Sequence, residues 1–443
     1  MFEQLVEAAR KLESASLLPD APELLSSAVP AQFTLDDIRS LATQIQDKSD
    51  TTAVLSAIYI ALKSNKLGTQ LNGDDDDDDD DGTHNIVLED ISLHIGQMMV
   101  PVCSGATFDE DSTDYTSLSH NSLLGVHILK LLLSLTSGGS PVLPTKSLLS
   151  VIASTNHNDP WTSSTCADLA RSLLSDYFRR IPPPQATKPV TSLPPRSIRD
   201  SRVEREPSEK KPPKTERARF ITEDVLTDFL RPLFAKSRPT TVTASGRPAA
   251  FPEPASRYSQ GDGFGGADEA TITKPWKYTQ RYAVTVFEWA VENTDGNLLQ
   301  ECWPLYTPIL LTLLDEPQPV SLKLRALSIL RKFWRLCPEG LLSRTGLADV
   351  FEQAVFPIVL SLPSLTPEDE SCDLLAAAYP ALFDIAGLDY PGPEMAENEV
   401  SKAGSTNNYK LSDKQHLQST GFSEAQRKLL DKLISSAKRY ATL

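Results

Sequence analysis

The chain has 443 residues, of which 40% are hydrophobic and 33 are proline, and its formal net charge is −16. That length holds two or three domains or one extended repeat array, and the proline share points to folded parts separated by Pro-rich segments. The acidic balance argues against a chain that binds nucleic acid as a whole, because phosphate contacts need a basic footprint, and it favours solubility.

Residues 1–63 read as helical. Phe2, Leu5, Val6, Ala9 and Leu12 make one face. Thr34 is placed to cap a helix bearing Ile38, Leu41, Ala42 and Ile45, and Ala53, Val54, Ala57, Ile58, Ala61 and Leu62 predict a third helix. The N-terminal MFEQLVEAARKLESA carries Glu3 and Glu7 and no continuous apolar core, so it does not read as a secretory signal. The run Asp74–Asp81, flanked by Gly73 and Gly82, breaks the pattern. Like charges repel, so 73–82 is expected as an acidic loop. Helical periodicity returns at 86–100, 121–136, 145–153 and 162–180. No apolar run approaches the about 18–20 residues of a membrane helix. There is no N-x-S/T sequon.

From Pro182 the composition shifts to Pro and charge, and 181–217 is expected as a disordered linker. Residues 196–219 hold nine Lys/Arg against five Asp/Glu, but the interspersed acids favour a plain linker over a nucleic-acid contact. A helix is expected at 218–236 and a Pro-, Gly- and Ser-rich flexible loop at 237–273.

A C-terminal helical domain is expected over 274–443. Tyr282, Val286, Trp289 and Ala290 line its first helix, and Leu305, Ile309, Leu310, Leu313 and Leu314 its second. Leu324, Leu327, Leu330 and Trp334 line the next. Residues 345–387 then predict a helix pair. Leu347, Val350, Phe351, Ala354, Val355, Ile358 and Leu362 share one face of the first member, which Pro363 stops. Thr366 is placed as N-cap of the second, Pro367 as its first helical residue, and Glu368, Asp369 and Glu370 as its acidic first turn. Leu375, Tyr379, Leu382 and Ile385 form its apolar face. A last helix at 423–441 opens on a Ser423/Gln426 capping box. Alternating β patterns are almost lacking. Helix pairs of this kind bury their faces by stacking, so the fold class is all-α: an irregular HEAT/armadillo-like α-solenoid with disordered acidic and Pro-rich insertions.

Chemistry-bearing motifs are few. Gly261, Gly263 and Gly266 match GxGxxG, but no strand precedes them and no apolar helix opens after them. Asp109, Glu110, Asp111 and Asp114 lack the glycine and terminal glutamate of a calcium loop. His120 and His127 stand seven apart with no third metal ligand nearby. Cys103, Cys166, Cys302, Cys337 and Cys372 form no CxxC pair, and their odd number reads as reduced thiols in a cytosolic or nuclear protein. Trp276, Trp289, Trp303 and Trp334 read as core packing before interface anchors. No catalytic, cofactor or metal site emerges. The candidate partner-binding positions are at turns between helices and near helix ends: Asp315, Glu316, Lys323, Arg325, Pro363 and Thr366.

The stretches KPWKYTQRYAVTVFEWAVEN (274–293), WPLYTPILLTLLDEPQPVSLKLRALSIL (303–330) and TGLADVFEQAVFPIVLSLPSLTPEDESCDLLAAAYPAL (345–382) resemble the Tti-two family, with ARFITEDVLTDFLRPLFAKSRP (218–239) also familial. The resemblance is to a filamentous-fungal member, covers about 218–390, and leaves 1–180 unmatched. It implies a non-enzymatic HEAT-like subunit of the TTT complex, joined to Tti-one and Tel-two and acting with the heat-shock-protein-90 and R-two-TP machinery. The implied clients are phosphatidylinositol-3-kinase-related kinases of the TOR, ATM and ATR classes. No membrane, nucleic acid or cofactor is implied, and cytoplasmic and nuclear localisation is expected. A karyopherin-like or trafficking cargo adaptor is the alternative reading of the same helical repeats. A helical enzyme is disfavoured, because no polar cluster interrupts the apolar faces.

Overall fold

The computed structural model describes residues 2–12, 25–43, 50–64, 80–100, 115–135, 143–181, 215–237, 274–315, 319–338, 340–361, 366–388 and 423–441, with the isolated positions Pro239, Thr243 and Arg247. Outside them lie most of the Asp run, the Asp109–Asp114 cluster, the GxGxxG glycines, Cys103, Ile45, Glu316, Leu362, Pro363, most of the expected Pro-rich linker and most of the expected 237–273 loop. The described residues are all-α, with no strand among them.

The chain divides into two compact units, Met1–Leu233 with Gly265–Ala290, and Phe234–Phe264 with Val291–Leu443. This differs from the expected segmentation. The helix at 218–236 and the start of the 274–443 domain belong largely with the N-terminal region, because their apolar residues are buried there.

Unit one is built from α1 (Glu3–Leu12), α2 (Leu35–Thr43), α3 (Thr51–Lys63), α4 (Asp80–Met99), α5 (Thr116–Leu135), α6 (Thr145–Ala153) and α7 (Ser164–Arg180). Their packing follows a simple rule. Each of α2, α4 and α6 pairs with the helix that follows it, and each stacks on the next of its own set. Helices α3, α5 and α7 form the second layer in the same way, and α1 covers α3. This is the contact pattern of stacked two-helix repeats, in which every unit buries its faces on its neighbours. Close approach within a layer and between paired helices uses small residues. A Cβ on Gly96 would lie 3.0 Å from the Ser147 Cα, and one on Gly125 would lie 2.2 Å from the Met99 Cγ.

Three details depart from expectation. Helix α4 starts at Asp80, so the last two aspartates and Gly82 are helical and not loop. Acidic residues suit the positive amino end of a helix, which outweighs their mutual repulsion over one turn. Helix α5 is long and apolar enough to cross a membrane by length and composition, contrary to the sequence reading. Half of its apolar window is buried against neighbouring helices, as in a core helix. Thr34 does cap α2: its Oγ1 accepts from the Asp37 N–H, and the Asp37 carboxylate accepts from the Thr34 N–H in return.

A further pair completes this unit. Its first member is α8 (Glu216–Phe220), continuing through a π-helical stretch, Ile221–Leu230, into α9 (Arg231–Phe234) and a 3-10 turn, Ala235–Ser237. The other member follows a short α10 (Pro275–Tyr278) and is α11 (Ala283–Glu292). Phe178, Phe220 and Trp289 form one aromatic cluster with centroid separations of 5.5–6.2 Å, and Phe229 stacks on Tyr282 at 5.7 Å. Asp224 accepts a hydrogen bond from Thr145 of α6.

Unit two repeats the rule. Its helices are α12 (Gly296–Asp315), α13 (Val320–Leu336), α14 (Leu341–Thr345), α15 (Leu347–Val355), α16 (Glu368–Ala386) and α17 (Glu424–Ala441), with a 3-10 turn, Phe356–Leu360, after α15. Helices α12 and α15 stack in one layer, α13 and α16 in the other, and α14 packs on α15. Tyr306, Phe333 and Phe351 run through this core at successive separations of 6.1 and 5.9 Å, and all three are fully buried.

The expected faces need adjustment here. On α13 the buried aromatic is Phe333, with Trp334 half-buried beside Phe351. Helix α15 leaves α-geometry at Val355, ahead of Pro357, so Pro363 is not what stops it. On α16 the cap position is Pro367 and not Thr366, while the acidic first turn stands as expected. Its buried face is Ser371, Leu374, Ala378, Ala381 and Leu382. Leu375, Tyr379 and Ile385 are half-buried on its flank.

Candidate interaction surface

Contacts between elements set the helix ends and outer faces of each unit. In unit two Arg331 of α13 donates to Asp384 of α16 at 2.7 Å. Both residues lie in the carboxyl-terminal parts of their helices. Of the candidate positions, Asp315, exposed, closes α12; Lys323 and Arg325, both half-buried, stand in the first turns of α13; half-buried Thr366 precedes α16; and Glu316 and Pro363 are outside the described residues. Exposed Glu368, Asp369, Glu370 and Asp373 make the amino end of α16 acidic.

The last helix, α17, is held at the carboxyl end of α16. Gly387 sits at φ 66° and ends α16, its N–H donating to the Asp384 carbonyl. The Gly387 carbonyl accepts from the Gln426 side chain at 2.9 Å. The expected capping box is present: Ser423 Oγ accepts from the Gln426 N–H, and Gln426 Oε1 accepts from the Ser423 N–H. Lys432 pairs with Glu352 of α15, and Leu429 is buried. The cap was legible in the sequence. The Lys432–Glu352 and Arg331–Asp384 pairs were not, because partners separated by tens of residues carry no local signal.

In unit one the α6–α7 corner carries buried polar groups. The carboxylate of Asp159 accepts from Thr285 of α11 at 2.5 Å, and Asn156 donates to Glu288 of the same helix at 3.2 Å. Trp161 donates to the Ala153 carbonyl at 3.0 Å. These bonds fix the corner against α11 and satisfy the groups that burial would otherwise penalise.

Among the described residues, several titratable groups are shifted chiefly by burial. Burial pushes the Cys166 and Cys337 thiols up to about 12, so both are protonated and inert at neutral pH. Burial likewise pushes the Tyr177 and Tyr282 phenols up to about 12. His127, in tilted ring contact with Tyr59 at 5.5 Å, is held below its ordinary value first by burial, then by Lys130 and Lys63. His120 is exposed on the same helix. Among the described residues, no group of three or more His, Cys, Asp or Glu is arranged to hold a metal ion. Trp276, Trp289 and Trp303 are buried.

Stacked helix pairs with inert, packed interiors define a helical-repeat protein whose recognisable features lie on its outer faces. A search of curated proteins and a search of solved structures return no match. The model of the Tti2 family matches residues 147–437, and the chain belongs to that family. The match takes in α6 and α7, which the sequence resemblance had left out.

Proposed function

We propose that this chain is a non-enzymatic scaffold subunit of the TTT co-chaperone complex. The observation that carries the reading is membership of the Tti2 family over 147–437. Its helix pairs offer extended outer faces to a larger helical partner. Tti-one and Tel-two homologues are the direct partners. Kinases of the TOR, ATM and ATR classes are clients whose maturation and stability the complex supports with the heat-shock-protein-90 and R-two-TP machinery, in cytoplasm and nucleus. The amino end of α13, with Lys323 and Arg325, is one docking position, and Asp315 and Thr366 are further candidates.

The test is affinity purification of the full chain from native extract, read by mass spectrometry. Tti-one and Tel-two homologues should co-elute in comparable amounts, and their absence overturns the reading. Charge reversal of Lys323 and Arg325 should weaken that recovery; unchanged recovery removes this end as a docking position.

A further inference from the structure

Helix α17 has two unlike faces. Inward, Leu429 is 1% exposed, Lys432 pairs with Glu352, and Gln426 holds the Gly387 carbonyl. Outward, Arg427, Lys428, Asp431, Ile434 and Lys438 are all exposed, at steps of one, three, three and four residues that align them on a single strip. Ile434 is 50% exposed and stands within this strip, one of only two large apolar side chains so exposed among the described residues. The helix carries five basic residues against two acidic ones, in a chain of net charge −16.

The strip is basic on balance, with Arg427, Lys428 and Lys438 against Asp431, and an exposed isoleucine within it has the makings of a protein contact: an apolar anchor and a charged rim that selects the partner's sign. We infer that the outward strip of α17 docks on an acidic, helical protein surface belonging to the large helical partner of the complex, an inference that rests on the function proposed above. A lipid surface fits less well. A membrane-bound amphipathic helix inserts its whole apolar face, whereas Leu429 of this one is committed to unit two.

The experiment uses the full chain co-expressed with its Tti-one and Tel-two counterparts, with affinity measured at low and high salt. The unmodified chain should bind, and binding should weaken as salt rises. The combined variant Arg427→Glu, Lys428→Glu, Ile434→Asp should bind about ten-fold more weakly, while Arg427→Lys with Lys428→Arg should bind as the unmodified chain does. Equal affinity of the charge-reversed variant overturns the inference and leaves the function intact. No binding by the unmodified chain overturns both. Should the variant melt earlier than the unmodified chain, the salt series of the latter decides, and salt-insensitive binding overturns the proposal. Binding of the unmodified chain to anionic phosphatidylserine vesicles, lost in the variant while partner affinity holds, also overturns it.

Discussion

His127 illustrates how burial turns an ordinary side chain into a pH-dependent term. Its folded-state value lies below the usual 6.5, because burial, Lys130 and Lys63 all disfavour the imidazolium. The unfolded chain therefore binds more protons in the acid range. Above 6.5 the ring is neutral in both states and contributes no pH dependence; as pH falls below that value the folded state loses stability. Thermal midpoints measured from about pH 8 to pH 5 should fall less for His127→Phe, which keeps an aromatic ring against Tyr59, than for the parent. Superposable profiles would reject the assignment. Gly125 is a second case. With Met99 buried at 2.2 Å from an added Cβ, Gly125→Ala should cost about 1–3 kcal/mol in chemical denaturation. Adding Met99→Ala makes room, so the double variant should lose less than the sum of the two single losses.

At the scale of elements, the structure separates what a sequence pattern specifies from what it leaves open. Helix existence was legible almost everywhere, because apolar steps of three and four repeat through α3, α7, α12 and α15. The rotation of a helix was less so. Along α16 the series Leu374, Ala378, Ala381 and the series Leu375, Tyr379, Leu382 have the same spacing, so periodicity alone does not choose between them. Tertiary packing buries Leu374, Ala378 and Ala381 together with Leu382, and leaves Leu375 and Tyr379 half-buried. The same holds for Phe333 over Trp334. Polar links between elements were invisible in advance. Asp159 gave no motif signal, yet its carboxylate is buried and accepts from Thr285 across more than a hundred residues. Asp159→Ala leaves the Thr285 hydroxyl buried without this partner and should cost about 1–3 kcal/mol in urea denaturation. An unchanged midpoint would show that the bond contributes nothing net.

For the whole molecule, stability should be distributed and not global. In a stack where each pair touches mainly its neighbours, a local loss spreads only as far as the adjacent interfaces reach. Hydrogen exchange of Asp159→Ala should accordingly lose protection first in α6, α7 and α11, with peptides from α12 to α16 holding theirs. Uniform loss along the chain would mean a single cooperative block. The sequence pattern supported the all-α class but not the division between units. One boundary falls inside α9 and another inside α11, a helix whose apolar residues look continuous along the chain.

The pair formed by the Glu216–Phe234 stretch and α11 has a consequence at the ribosome. Its two members are separated by the residues from 235 to 282, so the first is synthesised well before the second. At the usual pace of synthesis that interval is roughly two to ten seconds. Throughout it Phe220 and Phe229 have neither Trp289 nor Tyr282 to rest on. The aromatic contacts of this pair can therefore close only once α11 has been made, with Phe178 the one ring of the cluster already available to Phe220.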